Sequence, residues 1–128
     1  MAYDCTDVLE RVRTDHAAAR LVADLVALSS GVPAPDITAR DKRGHNAVRA
    51  RHTCMYLAYV IFQWPLERVG AAFGRDRTTA GLACRQIEDL RDDRRFDDMM
   101  ERLRAGALTL DLFGLRDALA RHGVDDGV

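Results

Sequence analysis

From Asn46 to Leu90 apolar and polar positions recur with a helical period that breaks twice, predicting two long helices with a short one between them. The first turns Ala47, Ala50, Cys54, Leu57, Ala58 and Ile61 inward, flanked by Met55 and Phe62, and ends at Trp64 and Pro65. The short helix opens at Pro65, places Leu66, Val69, Gly70 and Phe73 on one face, and closes at Gly74. After Gly74 and Arg75, Asp76 is positioned to accept a hydrogen bond from the free amides of the next helix. That helix has Ala80, Ala83, Cys84, Ile87 and Leu90 or Arg91 on its inward side. The pattern predicts a helix-turn-helix with a support helix in front of it.

The flanking segments read as further helices. From Asp4 or Thr6 to Leu28, Val8, Val12, Ala19, Val22 and Val26 share one stripe, and Leu21, Leu25 and Leu28 add a second apolar face. Such a helix must pack against more than one surface, either the motif domain or a second copy of the chain. Asp15 and His16 interrupt the stripe and argue against a coiled coil. Ser29 to His45 holds two prolines and two glycines, which predicts a loop with at most a short helical turn. Trp64, Tyr56 and Tyr59 read as packing residues. Past Leu90, Phe96, Met99, Met100 and Leu103 share a face, predicting a short lid over the open side of the motif. Leu108, Leu112, Leu115 and Leu119 continue in a last helix ending at Gly123, in which Gly114 costs about 1 kcal/mol relative to alanine. The expected architecture is an all-α helical bundle: an arm for packing or dimerisation over residues 1–39, the helix-turn-helix domain over 40–104, and a C-terminal helix with an acidic tail over 105–128. A chain of 128 residues, 48% hydrophobic, suffices for one small helical core.

Charge is unevenly distributed along the chain. A net charge of −1 argues at first against a nucleic-acid partner. Yet Arg40 to Arg85 carries nine Lys or Arg against three Asp or Glu, while both flanks are acidic, so positive charge is segregated onto the motif. The outward face of the last motif helix begins Arg77, Thr78, Gly81, Arg85. Arginine can bridge guanine O6 and N7, and threonine can meet a base edge or a thymine methyl, so this face suits a major groove. Arg40, Lys42, Arg43, Arg49 and Arg51 stand just before and on the first turns of the support helix, where they can follow phosphates or enter a minor groove.

This stretch resembles the C-terminal DNA-binding domain of the bacterial replication initiator DnaA, whose motif runs from a basic Arg-x-Arg loop through Met-x-Leu-Ala to Asp-His-Thr-Thr. The matching residues are Arg49, Arg51, Met55, Leu57, Ala58, Gly70, Phe73, Gly74, Arg75, Asp76, Thr78, Thr79, Ala83, Cys84, Arg85 and Ile87, in a resemblance covering about Arg40 to Leu103. It implies a helix-turn-helix of the Trp-repressor-like type. It also implies that Asp76, Thr78 and Thr79 approach bases in the major groove and Arg49 enters the minor groove. Two positions depart from the family pattern: Arg77 replaces its histidine, and the single Gly74 replaces a double glycine. Arginine at that place favours guanine, so the initiator's own site need not be shared.

Other chemistry is excluded or unsupported. No Gly-rich Lys-Ser/Thr phosphate loop is present, so a stand-alone domain without the initiator's ATPase, binding no nucleotide, is expected. Cys5, Cys54 and Cys84 are odd in number and widely spaced, which reads as free thiols in a reducing cytosol. His16, His45, His52 and His122 lie in separate segments without ligand spacing, and Ser29 and Ser30 lack a nucleophile elbow. Neither a metal, a cofactor nor an enzyme activity is expected. The chain shows no apolar run near the roughly 20 residues of a membrane span and no signal peptide, which predicts a cytoplasmic, nucleoid-associated protein. The expected function is sequence-specific binding of double-stranded DNA, controlling transcription or modulating replication initiation. The alternative is a protein-interaction or adaptor module that keeps the helix-turn-helix mainly as scaffold and recruits a polymerase or initiator partner, or a second copy, through its terminal helices.

Overall fold

The computed structural model describes residues 5–41 and 44–110, and among these the structure is all-α. Six helices follow in order: α1 (Cys5–Ser30), α2 (Ala34–Thr38), α3 (His45–Phe62), α4 (Leu66–Ala72), α5 (Arg77–Leu90) and α6 (Arg94–Leu110). The axis of the bundle is α3, in which every residue from Thr53 to Ala58 is buried. A helix enclosed on all sides needs partners all round. Val22, Ala23 and Val26 of α1, Ile37 of α2 and Met100 and Leu103 of α6 pack in one cluster with Cys54 and Leu57. Met55 and Ala58 face a second cluster with Val69 and Ala72 of α4, Ala80 and Ala83 of α5, and Ala18 and Ala19 of α1.

The two readings of α1 separate along its length. From Ala18 to Val26 its stripe is buried inside this chain, whereas Val8, Leu9 and Val12 are 48%, 59% and 46% exposed. Asp15, which breaks the stripe in sequence, is buried because Arg68 of α4 meets it fork to fork, with Nε and Nη2 each 2.8 Å from a carboxylate oxygen. The same guanidinium lies 4.5 Å over the Trp64 ring, which is itself a buried plug beside Phe62. Tyr56 is buried with its hydroxyl bonded to Glu88 at 2.7 Å, as a packing residue should be. Tyr59 is not: it is 42% exposed.

The connection after α5 is fixed by charge. Arg91 donates to Asp97 at 2.6 Å, to the Tyr56 hydroxyl at 2.9 Å and to Glu101, tying α5 to α6. Asp93 accepts from the Arg95 amide at 2.9 Å and so caps α6. α6 is longer than a short lid and packs on α1 and α3, running unbroken through residue 105, where the sequence pattern suggests a boundary. Met100 and Leu103 are buried, whereas Met99 turns out to 38% exposure. Leu112, Leu115, Leu119, Gly114 and Gly123 of the expected last helix lie outside the described residues, as do Lys42 and Arg43. Cys54 and Cys84 are buried free thiols; desolvation raises both, Cys84 to about 11, which keeps them protonated and inert. No helix among the described residues is long and apolar enough to cross a membrane.

Candidate nucleic-acid interface

The turn between α4 and α5 is held by a close backbone approach. The Arg75 amide donates to the Gly70 carbonyl at 2.7 Å, and a Cβ on Gly70 would lie 2.7 Å from the carbonyl oxygens of both Arg75 and Asp76. Only glycine lets the chain return this tightly. Gly74 turns the backbone with a φ of 67°, in the left-handed region. Asp76 then caps α5, accepting from the Thr79 amide at 2.7 Å. That bond, with the Thr79 hydroxyl second, holds the Asp76 carboxyl below its ordinary value. Asp76 and Thr79 therefore first of all start the helix that presents everything after them.

Arg77, Thr78, Gly81 and Arg85 come together as expected, lining one concavity of about 320 Å³. Arg77, Thr78 and Arg85 are exposed, and neither arginine side chain makes a hydrogen bond or ion pair among the described residues. Two further residues complete the concavity, Leu66 at the start of α4 and Leu82 on α5. The helical period brings Leu82 to this face, four residues after Thr78 and three before Arg85. Its only sign in the sequence is an apolar residue standing off the buried stripe. No packing against another element demands Gly81: a Cβ there would make an ordinary 3.5 Å contact with the Leu66 side chain. Inside a helix it costs about 1 kcal/mol relative to alanine.

The other basic residues divide. Arg40 and Arg75 line a second concavity of about 340 Å³ together with His16 and Arg20 of α1. Arg20 and His16 join this basic cleft from a helix whose sequence reads only as packing. Arg75 fastens the turn to the preceding loop, donating to Ala39 O at 2.8 Å, Phe73 O at 3.2 Å and Gly74 O at 3.3 Å. Arg49 is exposed at a third concavity, beside His45, His52 and Gln86, between the first turns of α3 and the outer side of α5. Burial lowers the His52 pKa, favouring the neutral ring at this edge.

Arg51 contradicts its expected place at the phosphates. It is 6% exposed, donating Nε to Ile37 O at 2.7 Å and Nη2 to Asp36 O at 3.2 Å and Asp41 O at 3.5 Å. The physical reason is α2: a five-residue helix leaves its last carbonyls without intrahelical partners, and with Ile37 fully buried those carbonyls need a donor from the core. Arg51, on the inward stripe between Ala47 and Cys54, supplies it.

Residues 19–87 match the family model described as the bacterial dnaA protein helix-turn-helix, over more than half of the chain. The chain belongs to that family. The match begins inside α1 and ends at Ile87, so the buried half of α1 is part of the family domain, while α6 lies beyond it. The DnaA helix-turn-helix is a DNA-binding domain and not an enzyme family, and DNA binding is the function this membership carries. No solved structure matches the chain. Among the described residues, no cluster of His, Cys, Asp or Glu could hold a metal ion.

Proposed function

We propose that the chain binds double-stranded DNA sequence-specifically, and that it regulates transcription or modulates replication initiation by occupying initiator-like sites. The observation that carries this reading is the concave outer face of α5, where Arg77, Thr78 and Arg85 stand exposed around Gly81 on the first turns of a capped helix. In this reading Arg77 and Arg85 meet guanine edges, Thr78 meets a base edge, and Asp76 and Thr79 set the helix start beside them. Arg49 reaches the minor groove, while Arg40, Lys42, Arg43 and Arg75 serve the phosphates.

Selection of bound duplexes from a random pool tests it. The expected result is one enriched motif, whose symmetry tells whether one or two copies bind, with log K falling about 0.9 per neutralised phosphate against log salt. Weak, salt-sensitive binding without enrichment would contradict sequence-specific reading.

One observation favours a second activity, recruitment of a protein partner or a second copy: the exposed Val8, Leu9 and Val12 at the start of α1. Removing the whole of α1 would cut the core at Val22, Ala23 and Val26, so the discriminating variant replaces Val8, Leu9 and Val12 with serine. Unchanged oligomeric state and unchanged partner capture in that variant would dismiss this second reading.

A further inference from the structure

We propose that Leu82, set beside Gly81 and Leu66, is a specificity-determining residue that reads the C5 methyl group of one thymine in the bound DNA. This rests on the DNA-reading role proposed for the outer face of α5. Between Leu66 and Leu90, Leu82 is the one large apolar side chain exposed among the described residues, at 51%. It lines the same concavity as Arg77, Thr78, Gly81 and Arg85, with the Leu66 side chain as the other apolar wall.

The major groove presents donors, acceptors and one apolar group, the thymine methyl. A surface built only to meet phosphates and polar base edges gains nothing from leucine, which at this place removes a hydrogen-bonding group and leaves apolar area in water. Gly81 bears on the same recognition. No packing against another element demands glycine there, since beyond its own helix and chain neighbours a Cβ would meet only Leu66 Cδ1, at an ordinary 3.5 Å, and the helix would be steadier with alanine. What the missing Cβ adds is room in the concavity that Leu66, Leu82 and the two arginines line together. The two leucines supply the apolar part of an otherwise polar lining, and the glycine gives it room.

The test uses the full chain and the duplex that emerges from selection. Each thymine is replaced in turn by deoxyuridine, which deletes the methyl group and keeps every hydrogen-bonding atom of the base. The expected result is one thymine at which the exchange weakens binding about fourfold, the size of one methyl group withdrawn from water. Leu82→Ala is expected to bind the thymine and deoxyuridine duplexes equally, and Leu82→Met to restore part of the difference. Both variants alter an exposed side chain, and an unchanged melting midpoint verifies the fold. Indifference to deoxyuridine at every position would overturn the proposal, as would a methyl effect undiminished in Leu82→Ala. A pool without any enriched sequence would instead overturn the sequence-specific reading beneath it, so the two failures are distinguishable.

Discussion

Arg51 and Arg77 belong to the same basic stretch and have opposite fates. Arg51 points inward, and its donors bond three carbonyls at and beyond the end of α2. Arg77 begins α5 on the open side of a tight turn, and its side chain has no hydrogen bond or ion pair among the described residues. The difference lies in what surrounds each side chain. A short helix with Ile37 in the core leaves carbonyls that a core donor satisfies, whereas at the start of α5 Asp76 bonds the Thr79 amide and the Arg77 side chain stands exposed. Local positive charge therefore does not mark the DNA surface by itself; the neighbouring backbone decides which arginines remain available.

The largest effect is expected from Arg51→Ala. Losing the charged donor is expected to lower stability by about 3 kcal/mol, read by denaturant midpoint, while the folded fraction keeps its DNA preference. A stable variant with a smaller salt slope would return Arg51 to the phosphates. Next is Gly70→Ala, whose Cβ would collide with two backbone carbonyls; a loss of about 2 kcal/mol is expected, with weakened DNA binding because the angle between α4 and α5 must change. An unaltered melting midpoint would mean that the turn yields without cost.

Gly81→Ala sharpens the contrast by separating fold from function. It is expected to raise stability by up to about 1 kcal/mol while lowering affinity for the selected duplex, because the added Cβ takes up room in the concavity that Leu66 and Leu82 line. Stability and affinity moving in the same direction would refute that division. The smallest effect is the acid dependence of the cap. The folded-state pKa of Asp76 lies below its ordinary value, so its stabilisation is fully present above about pH 4 and disappears as pH falls through the lowered value. Asp76→Asn keeps a capping oxygen without the titration, and its stability gap to the parent should narrow on acidification.

Much of this was legible in the residues. Periodicity located α3, α4 and α5, and the Asp76 cap and the shared outer face of Arg77, Thr78, Gly81 and Arg85 followed from helix starts and faces. The buried charges were harder, although a signal existed. Asp15 lies on the stripe of α1 and Arg51 on that of α3, and a charged residue on an inward stripe must find a partner in the core. What no stripe could supply was the partner's identity: Arg68 is 53 positions from Asp15, and the carbonyls for Arg51 exist only once α2 has formed. Leu82 was hidden for the opposite reason. An exposed leucine is ordinary, and its place among Arg77, Thr78 and Arg85 becomes meaningful only when Leu66 and Gly81 are seen to complete the concavity.

The most direct measurement is a competition titration of Arg77→Ala against the parent chain, with the selected duplex and a scrambled one at fixed salt. Reading of a base by Arg77 predicts a loss of about 1 to 3 kcal/mol on the selected duplex and little change on the scrambled one. An equal loss on both would place Arg77 at the phosphates and contradict the claim that the outer face of α5 reads sequence.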